Sequence, residues 1–244
     1  MSRAFVSLIM GWLFLVASPA LPAAELTLAD VANPKGDGPD GKGNTADDTW
    51  QFWFELAHKP NIFLPLDAYS KSVPKDGVPR KIRGPIASML PNPDDTEGFI
   101  YHSDWDGRFE GVWADHKAKQ IMAYPYVEKQ FHGAVAITYK VPADGVYNVT
   151  GGLTDLQVDP KFAQHDGIEW FLDLTDGGTA GKRLAKGGPI GDGSDRPDSG
   201  KFEALKVEAK KGQLIRLVVH PRKWWGSDLT RIDEFKIDIA DSTK

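Results

Sequence analysis

The sequence predicts an all-β chain: an antiparallel β-sandwich of the jelly-roll type, with few or no helices after its N-terminus. Three observations predict this. Apolar and polar residues alternate over short segments, the period of a half-buried strand. Turns rich in Gly, Pro and Asp separate those segments. The mature chain shows no clear 3.6-residue apolar period of the kind a packed helix needs.

Of the 244 residues, the first 24 read as a secretory signal peptide. Arg3 gives a positive start, residues 4–17 are almost wholly apolar, and residues 18–24 are, apart from Leu21, small residues and prolines. The apolar run falls short of the about 20 residues that span a bilayer. Cleavage is expected after Ala24, with an uncleaved N-terminal anchor as the alternative reading. No later segment is apolar enough to span. The chain has no cysteine, so its fold stands on its core rather than on disulfides. Arg3 is the only charge in the first 24 residues, so the other 220 carry 28 basic and 34 acidic residues, net −6. With no long basic run, nucleic acid is not the expected partner. The expected location is secreted or periplasmic, in a bacterium.

Residues 25–48 form an acid- and Gly-rich N-terminal segment. Gly36, Gly38 and Gly41 match a dinucleotide fingerprint by spacing. Pro39 and the preceding Asn33 and Pro34 deny it the strand and helix that fingerprint needs. Asp37, Asp40, Asn44, Asp47 and Asp48 offer hard oxygen ligands suited to calcium. Pro39 and Lys42 break the EF-hand pattern, so a calcium site and a solvated loop both remain open readings. No cofactor is required; calcium is the one ion the residues suit.

Residues 49–244 are expected to form a single β-sandwich domain with a loop-rich first half. Trp50, Phe52 and Phe54 alternate with Gln51, Trp53 and Glu55, as on a strand with one buried face. Seven prolines between residues 60 and 97 forbid a long helix and leave loops with short edge strands. The stretch 99–132 carries eight aromatics, three histidines, five acids and four Lys or Arg residues. Its aromatic content is twice the 11% of the whole chain, a mixture suited to a polar ligand such as a sugar. Strands are expected over 134–141, 146–153, 168–174, 202–209, 213–220 and 235–239. Turns fall at Pro142–Gly145, Asp176–Gly178 and Lys210–Gly212, and a longer loop over 186–200. The apolar content of 213–220 exceeds alternation, which marks a central strand.

These elements carry a resemblance. The strand 136–141 runs into Pro142, Ala143, Asp144, Gly145, Val146 and Tyr147. Asp166, Gly167 and Ile168 follow, then 207–212, 215–221, and Asp228, Leu229 and Thr230. Residues 131–239 thereby resemble the jelly-roll, galactose-binding-like domains of secreted bacterial proteins of planctomycete type, among them many carbohydrate-binding modules. The resemblance implies a β-sandwich and a carbohydrate ligand. It does not carry over ligand contacts, because Lys223, Trp224, Trp225, Gly226 and Ser227 stand where such domains tend to have a polar, Asn-rich loop.

The residues themselves suggest where a ligand would sit. Trp224 and Trp225 are adjacent, so in extended chain their side chains point oppositely and only one can face a core. An exposed indole is a flat platform for a sugar ring, with Arg222 and Asp228 as polar contacts. Trp105 and Trp113 offer further platforms. Each of these rings can instead serve the core. Asp104 and Asp106 bracket Trp105 at a spacing near that of glycosidase pairs, but such pairs flank the sugar from two sides, which neighbours on one strand rarely do. An enzyme reading would use Tyr101, His102, Arg108, Tyr126, Lys129 and His132. These supply the cation and the base that a polysaccharide lyase needs. No zinc motif and no nucleophilic-serine motif occurs. The leading expectation is a secreted, non-catalytic carbohydrate-binding β-sandwich, braced by calcium if the acidic turn binds it. The alternatives are a small polysaccharide-degrading enzyme, lyase before hydrolase, and a cell-envelope protein that docks a protein partner.

Overall fold

A computed structural model describes residues 23–32, 49–55, 61–66, 68–72, 96–103, 109–115, 119–128, 131–156, 167–179, 181–191, 198–222 and 229–240. The described chain is nearly all β, in two main antiparallel sheets arranged as a sandwich.

In chain order the elements are β1 (Ala24–Glu25), α1 (Leu28–Ala32), β2 (Trp50–Glu55), β3 (Phe63–Pro65), β4 (Ala68–Ser72), β5 (Thr96–Ser103), β6 (Phe109–Asp115) and β7 (Gln120–Tyr124). There follow β8 (Tyr126–Glu128), β9 (Phe131–Gly133), β10 (Val135–Lys140), β11 (Gly145–Asp155), β12 (Ile168–Thr175), β13 (Lys182–Ile190), β14 (Asp198–Ala209), β15 (Leu214–Pro221) and β16 (Thr230–Ile239). The eight-stranded sheet runs β14-β11-β16-β7-β6-β5-β4, with β1 also paired to β16. The six-stranded sheet runs β13-β12-β15-β10-β2-β3, and β8 and β9 form a separate hairpin. β15 lies between β12 and β10, as its apolar excess predicts. β3 and β4 are edge strands, as the proline-broken stretch predicts.

Alternation explains the core. Phe52, Ile137, Leu217 and Leu172 project inward from adjacent strands of the six-stranded sheet; Val149, Leu153, Phe235 and Ile237 do so from the other. Aromatic contacts join the sheets, with Trp50 and Phe235 at 5.1 Å between centroids and Trp170 and Phe202 at 5.7 Å. Each such buried side chain contributes about 1.5–3 kcal/mol.

Three expectations need amendment. Residues 25–48 are not one polar segment, because Leu26 and Val31 are buried in the main core and β1 adds to β16. Thr27 caps α1 through Asp30, whose carboxylate accepts from the Thr27 backbone N–H at 2.8 Å and its hydroxyl at 2.7 Å. Second, the predicted loop over 186–200 is strand as far as Ile190. Gly187 allows this, since a Cβ there would collide with the Trp170 indole beneath β13. Third, β2 is buried on both faces: Gln51 and Glu55 are as inaccessible as its aromatics.

Candidate functional site

Strand direction gives the sandwich two unlike ends. At one, three connections are short turns, β10 to β11, β12 to β13, and β14 to β15, and the 73–95 connection from β4 to β5 also departs from it. These turns bond to one another. The Asp144 carboxylate accepts the Lys211 N–H at 2.8 Å, and Gln213 donates to the Asp176 carboxylate at 2.9 Å. Tyr147 donates to the Ala143 carbonyl at 2.6 Å, and Gly212 takes φ +86° where a side chain would be strained.

At the other end most of the remaining connections start and finish. β2, β5, β7, β11, β13 and β15 all finish there, and β6, β10, β12, β14 and β16 all begin there. The register fixes this: Ser103 faces Phe109, Gly111 faces Tyr124, Ala123 faces Thr230, Thr230 faces Asp155, and Ile168 faces both Ile190 and Pro221. The β8–β9 hairpin joins β7 to β10 here, crossing from one sheet to the other.

The described rim of this end is polar. On the six-stranded sheet, Glu55, Ala134, His220 and Glu169 stand in a row across β2, β10, β15 and β12. The Glu55 N–H donates to the Ala134 carbonyl at 2.8 Å, and His220 is the cross-strand partner of Glu169. Glu55 Oε2 lies 3.9 Å from His220 Nε2, and Arg222 Nε lies 3.9 Å from Glu169 Oε1. The Glu55 side chain is only 7% exposed, against 28% for His220 and 44% for Glu169. Burial pushes the Glu55 carboxyl above its ordinary value; the Asn61 N–H, which donates to it, and the charge of Arg216 oppose that rise. On the eight-stranded sheet, Asp155 and Thr230 are fully buried at the same end, and Asp198 accepts from the Gly191 N–H at 3.0 Å.

Behind this rim, the outer face of the six-stranded sheet holds a second, small core of Phe63, Ala134, Ala136 and Val218, flanked by Trp53 and Phe171. Asp173 and Arg216 are buried beside it, 3.6 Å apart, and Arg183 donates to Asp173 at 2.5 Å. Arg216 sits 4.0 Å from the Phe63 ring centre and donates to the Thr179 carbonyl at 3.0 Å. The chain around Gly178 and Thr179 thus folds over this face, and the Phe63 N–H donates to Gly178. Burial lowers the Arg216 pKa and the neighbouring Asp173 opposes that shift.

The sequence candidates divide along these lines. Tyr101 and His102 are the last residues but two and one of β5, and Tyr126 and His132 lie on the β8–β9 hairpin, all towards the loop end. Arg222 is at the rim itself. Trp105 and Arg108 fall in the β5–β6 connection, Lys129 in the β8–β9 connection, and Trp224, Trp225 and Asp228 in the β15–β16 connection. These six lie outside the described residues, but the strands that flank them meet at this end. Trp113 is set apart, within β6 between the buried Val112 and Ala114. Asp37, Asp40, Asn44, Asp47 and Asp48 also lie outside the described residues, and the chain they belong to enters β2 from the turn end. Among the described residues, no three His, Asp or Glu side chains are grouped to hold a metal ion. Also among them, no helix is long and apolar enough to cross a membrane.

The sequence reading overlooked Glu55 and Glu169. Glu55 was visible as a lone acid closing an aromatic strand, a place where a buried carboxyl is costly. Glu169 had no local mark.

No protein-family model matches the chain, and no curated protein matches it. Solved structures are similar only at a distance. The tandem CBM51 modules of the family 98 glycoside hydrolase from Streptococcus pneumoniae SP3-BS71 are 10% identical over 82% of this chain and 48% of theirs, TM-score 0.40. An apo-form cyclase from Fischerella sp. is 11% identical over 90% of this chain and 98% of its own, TM-score 0.37. TmCBM61 in complex with beta-1,4-galactotriose is 13% identical over 78% of this chain and 88% of its own, TM-score 0.31. Likeness at this level assigns neither a ligand nor an activity.

Proposed function

We propose that this protein is a secreted or periplasmic β-sandwich that binds carbohydrate at its loop end. One observation supports the reading: the strand ends that flank Trp105, Trp224 and Trp225, and the hairpin that bears Tyr126 and His132, lie at the same end as Glu55, His220, Glu169 and Arg222. Aromatic faces stack on the apolar faces of sugar rings, and the fixed charges around them accept and donate to hydroxyls. Among the described residues of the turn end, Asp144 and Asp176 are bonded to Lys211 and Gln213. A calcium ion held by Asp37, Asp40, Asn44, Asp47 and Asp48 would brace the chain leading into β2 rather than touch the glycan.

Affinity gel electrophoresis against neutral and acidic polysaccharides tests this. Retardation by at least one polymer is expected, lost in Trp224→Ala or Trp225→Ala and kept in Trp113→Ala. Retention by no plant, algal or bacterial polysaccharide overturns the reading.

A further inference from the structure

The outer face of the eight-stranded sheet carries a trough of about 460 Å³ over β11, floored by Gly152. Two adjacent glycines differ there in what requires them. A Cβ on Gly151 would collide with the Phe202 ring and the Glu234 carbonyl, so packing dictates that glycine. A Cβ on Gly152 would meet its nearest neighbours at an ordinary 3.6 Å, and its backbone is outside the left-handed region that favours glycine. A glycine inside a strand weakens it, and one that neither packing nor backbone demands marks a place where something else approaches the chain. The register of β16 slips opposite Gly152, where Asp233 is an extra residue. Asp233 and Glu234 therefore both point away from the core, between the buried Ile232 and Phe235. Lys201 is the partner of Gly152 on the β14 side and Glu234 on the β16 side. Neighbouring strands lie about 4.8 Å apart, so these two side chains rise roughly 10 Å apart across a bare floor. One end wall is fixed in place. Arg231 and Thr154 donate to the two oxygens of Asp233, Thr154 at 2.7 Å. That uses the only proton of the Thr154 hydroxyl, so Ser199, 2.9 Å away, donates to it and keeps its lone pairs for a ligand.

We infer that the trough over Gly152 is a second carbohydrate subsite, which takes a neutral sugar residue of a chain held at the loop end. This rests on the carbohydrate-binding reading and adds the class of glycan to it. A sugar ring lies flat on the Gly152 backbone because no Cβ stands in its way. Lys201 donates to its hydroxyls from one side, Glu234 accepts from the other, and Ser199 accepts at the end wall. Of the charges lining the trough, Glu203, Asp233 and Glu234 are carboxylates and only Lys201 is a cation, so a uronate or a sulfate is repelled there. The trough opens towards the loop end, since Ser199 and Thr154 stand one residue from the pair of Asp155 and Asp198 at the strand ends. From Thr154 to Thr150 is about 13 Å of strand, so a polymer that crosses the loop end runs on along β11.

Affinity gels and calorimetry on the full chain test this, with galactan, xylan and mannan as neutral polymers and polygalacturonate and alginate as acidic ones. The wild type is expected to prefer a neutral polymer, and to gain affinity with the length of its oligosaccharides before levelling off. Gly152→Gln fills the trough from its floor. It should weaken binding of the preferred polymer about tenfold and level off at a shorter length, with a urea midpoint no lower than that of the wild type. Lys201→Ala and Glu234→Ala are surface changes, so they still report if Gly152→Gln misfolds; each should weaken binding about threefold. Affinity and length dependence unchanged in these variants overturn the subsite, and loss of binding in Trp224→Ala then leaves the loop-end reading standing. A preference for polygalacturonate or alginate also overturns the inference. If no polymer is retarded, both readings fail.

Discussion

The two ends of this sandwich are made of similar residues and do opposite things. At the turn end, Asp144, Asp176, Lys211 and Gln213 are polar and exposed or nearly so, yet they answer one another across three turns. These bonds tie the three turns to one another. At the loop end, Glu55 stands 3.9 Å from His220 and Glu169 stands 3.9 Å from Arg222, and burial pushes the Glu55 carboxyl above its ordinary value. A buried titratable carboxyl beside a partly exposed imidazole is the kind of group that functional sites gather. Composition does not distinguish the ends; a buried titratable carboxyl at one of them does.

If that division is right, stability and affinity should separate on mutation. The largest expected effect is on stability, away from the loop rim. Asp173→Ala leaves the buried Arg216 guanidinium without its carboxylate and is predicted to cost about 3–5 kcal/mol, read by urea unfolding. A change below about 1 kcal/mol would mean that water reaches Arg216.

Next comes affinity. Trp225→Ala or Trp224→Ala is predicted to weaken glycan binding at least tenfold, about 1.4 kcal/mol, with Trp113→Ala within about twofold of wild type. Calorimetry with the best-retarded polysaccharide checks this. Equal losses at Trp113 and in the β15–β16 connection would erase the distinction between the ends.

Glu55 links the two properties. Its folded-state pKa is raised above the ordinary 4.5, so the folded protein holds that proton more tightly than the unfolded chain. The stability this lends is full below the ordinary value and is lost as pH rises through the raised one. Glu55→Gln should remove that loss, so the variant should be more stable than wild type at neutral pH. Thermal melts from about pH 4 to about pH 8 read the sign directly. The smallest effect is expected at the turn end, where Asp144→Ala removes one hydrogen bond to Lys211 and should cost about 0.5–1.5 kcal/mol with affinity unchanged.

Much of the fold was legible because it rests on local pattern. The alternation in 50–55 and the apolar excess in 214–221 each report burial directly, and Pro142, Gly177 and Gly212 mark turns by backbone chemistry. What escaped was set by distant partners. The 186–190 segment, with Gly187, Gly188 and Pro189, looks like a turn by composition, and only the Trp170 ring beneath it makes glycine the residue that permits a strand. The five residues of α1 are too few to show a helical period, so its Thr27 cap was the one local signal. The site was legible in pieces. Arg222, Trp224 and Trp225 drew notice as a cluster, but their company with Glu55 depends on the direction of every strand between residues 55 and 220. That is a property of topology, with no signature in any single segment.

The most direct test of the division between the ends is hydrogen–deuterium exchange on the full chain, with and without the polysaccharide it retards most. Protection gained on binding is predicted in peptides covering 104–108, 125–134 and 220–229, with 142–145, 176–178 and 210–213 unchanged. Protection centred on the turn peptides, or on the interior of β6 around Trp113, would contradict it.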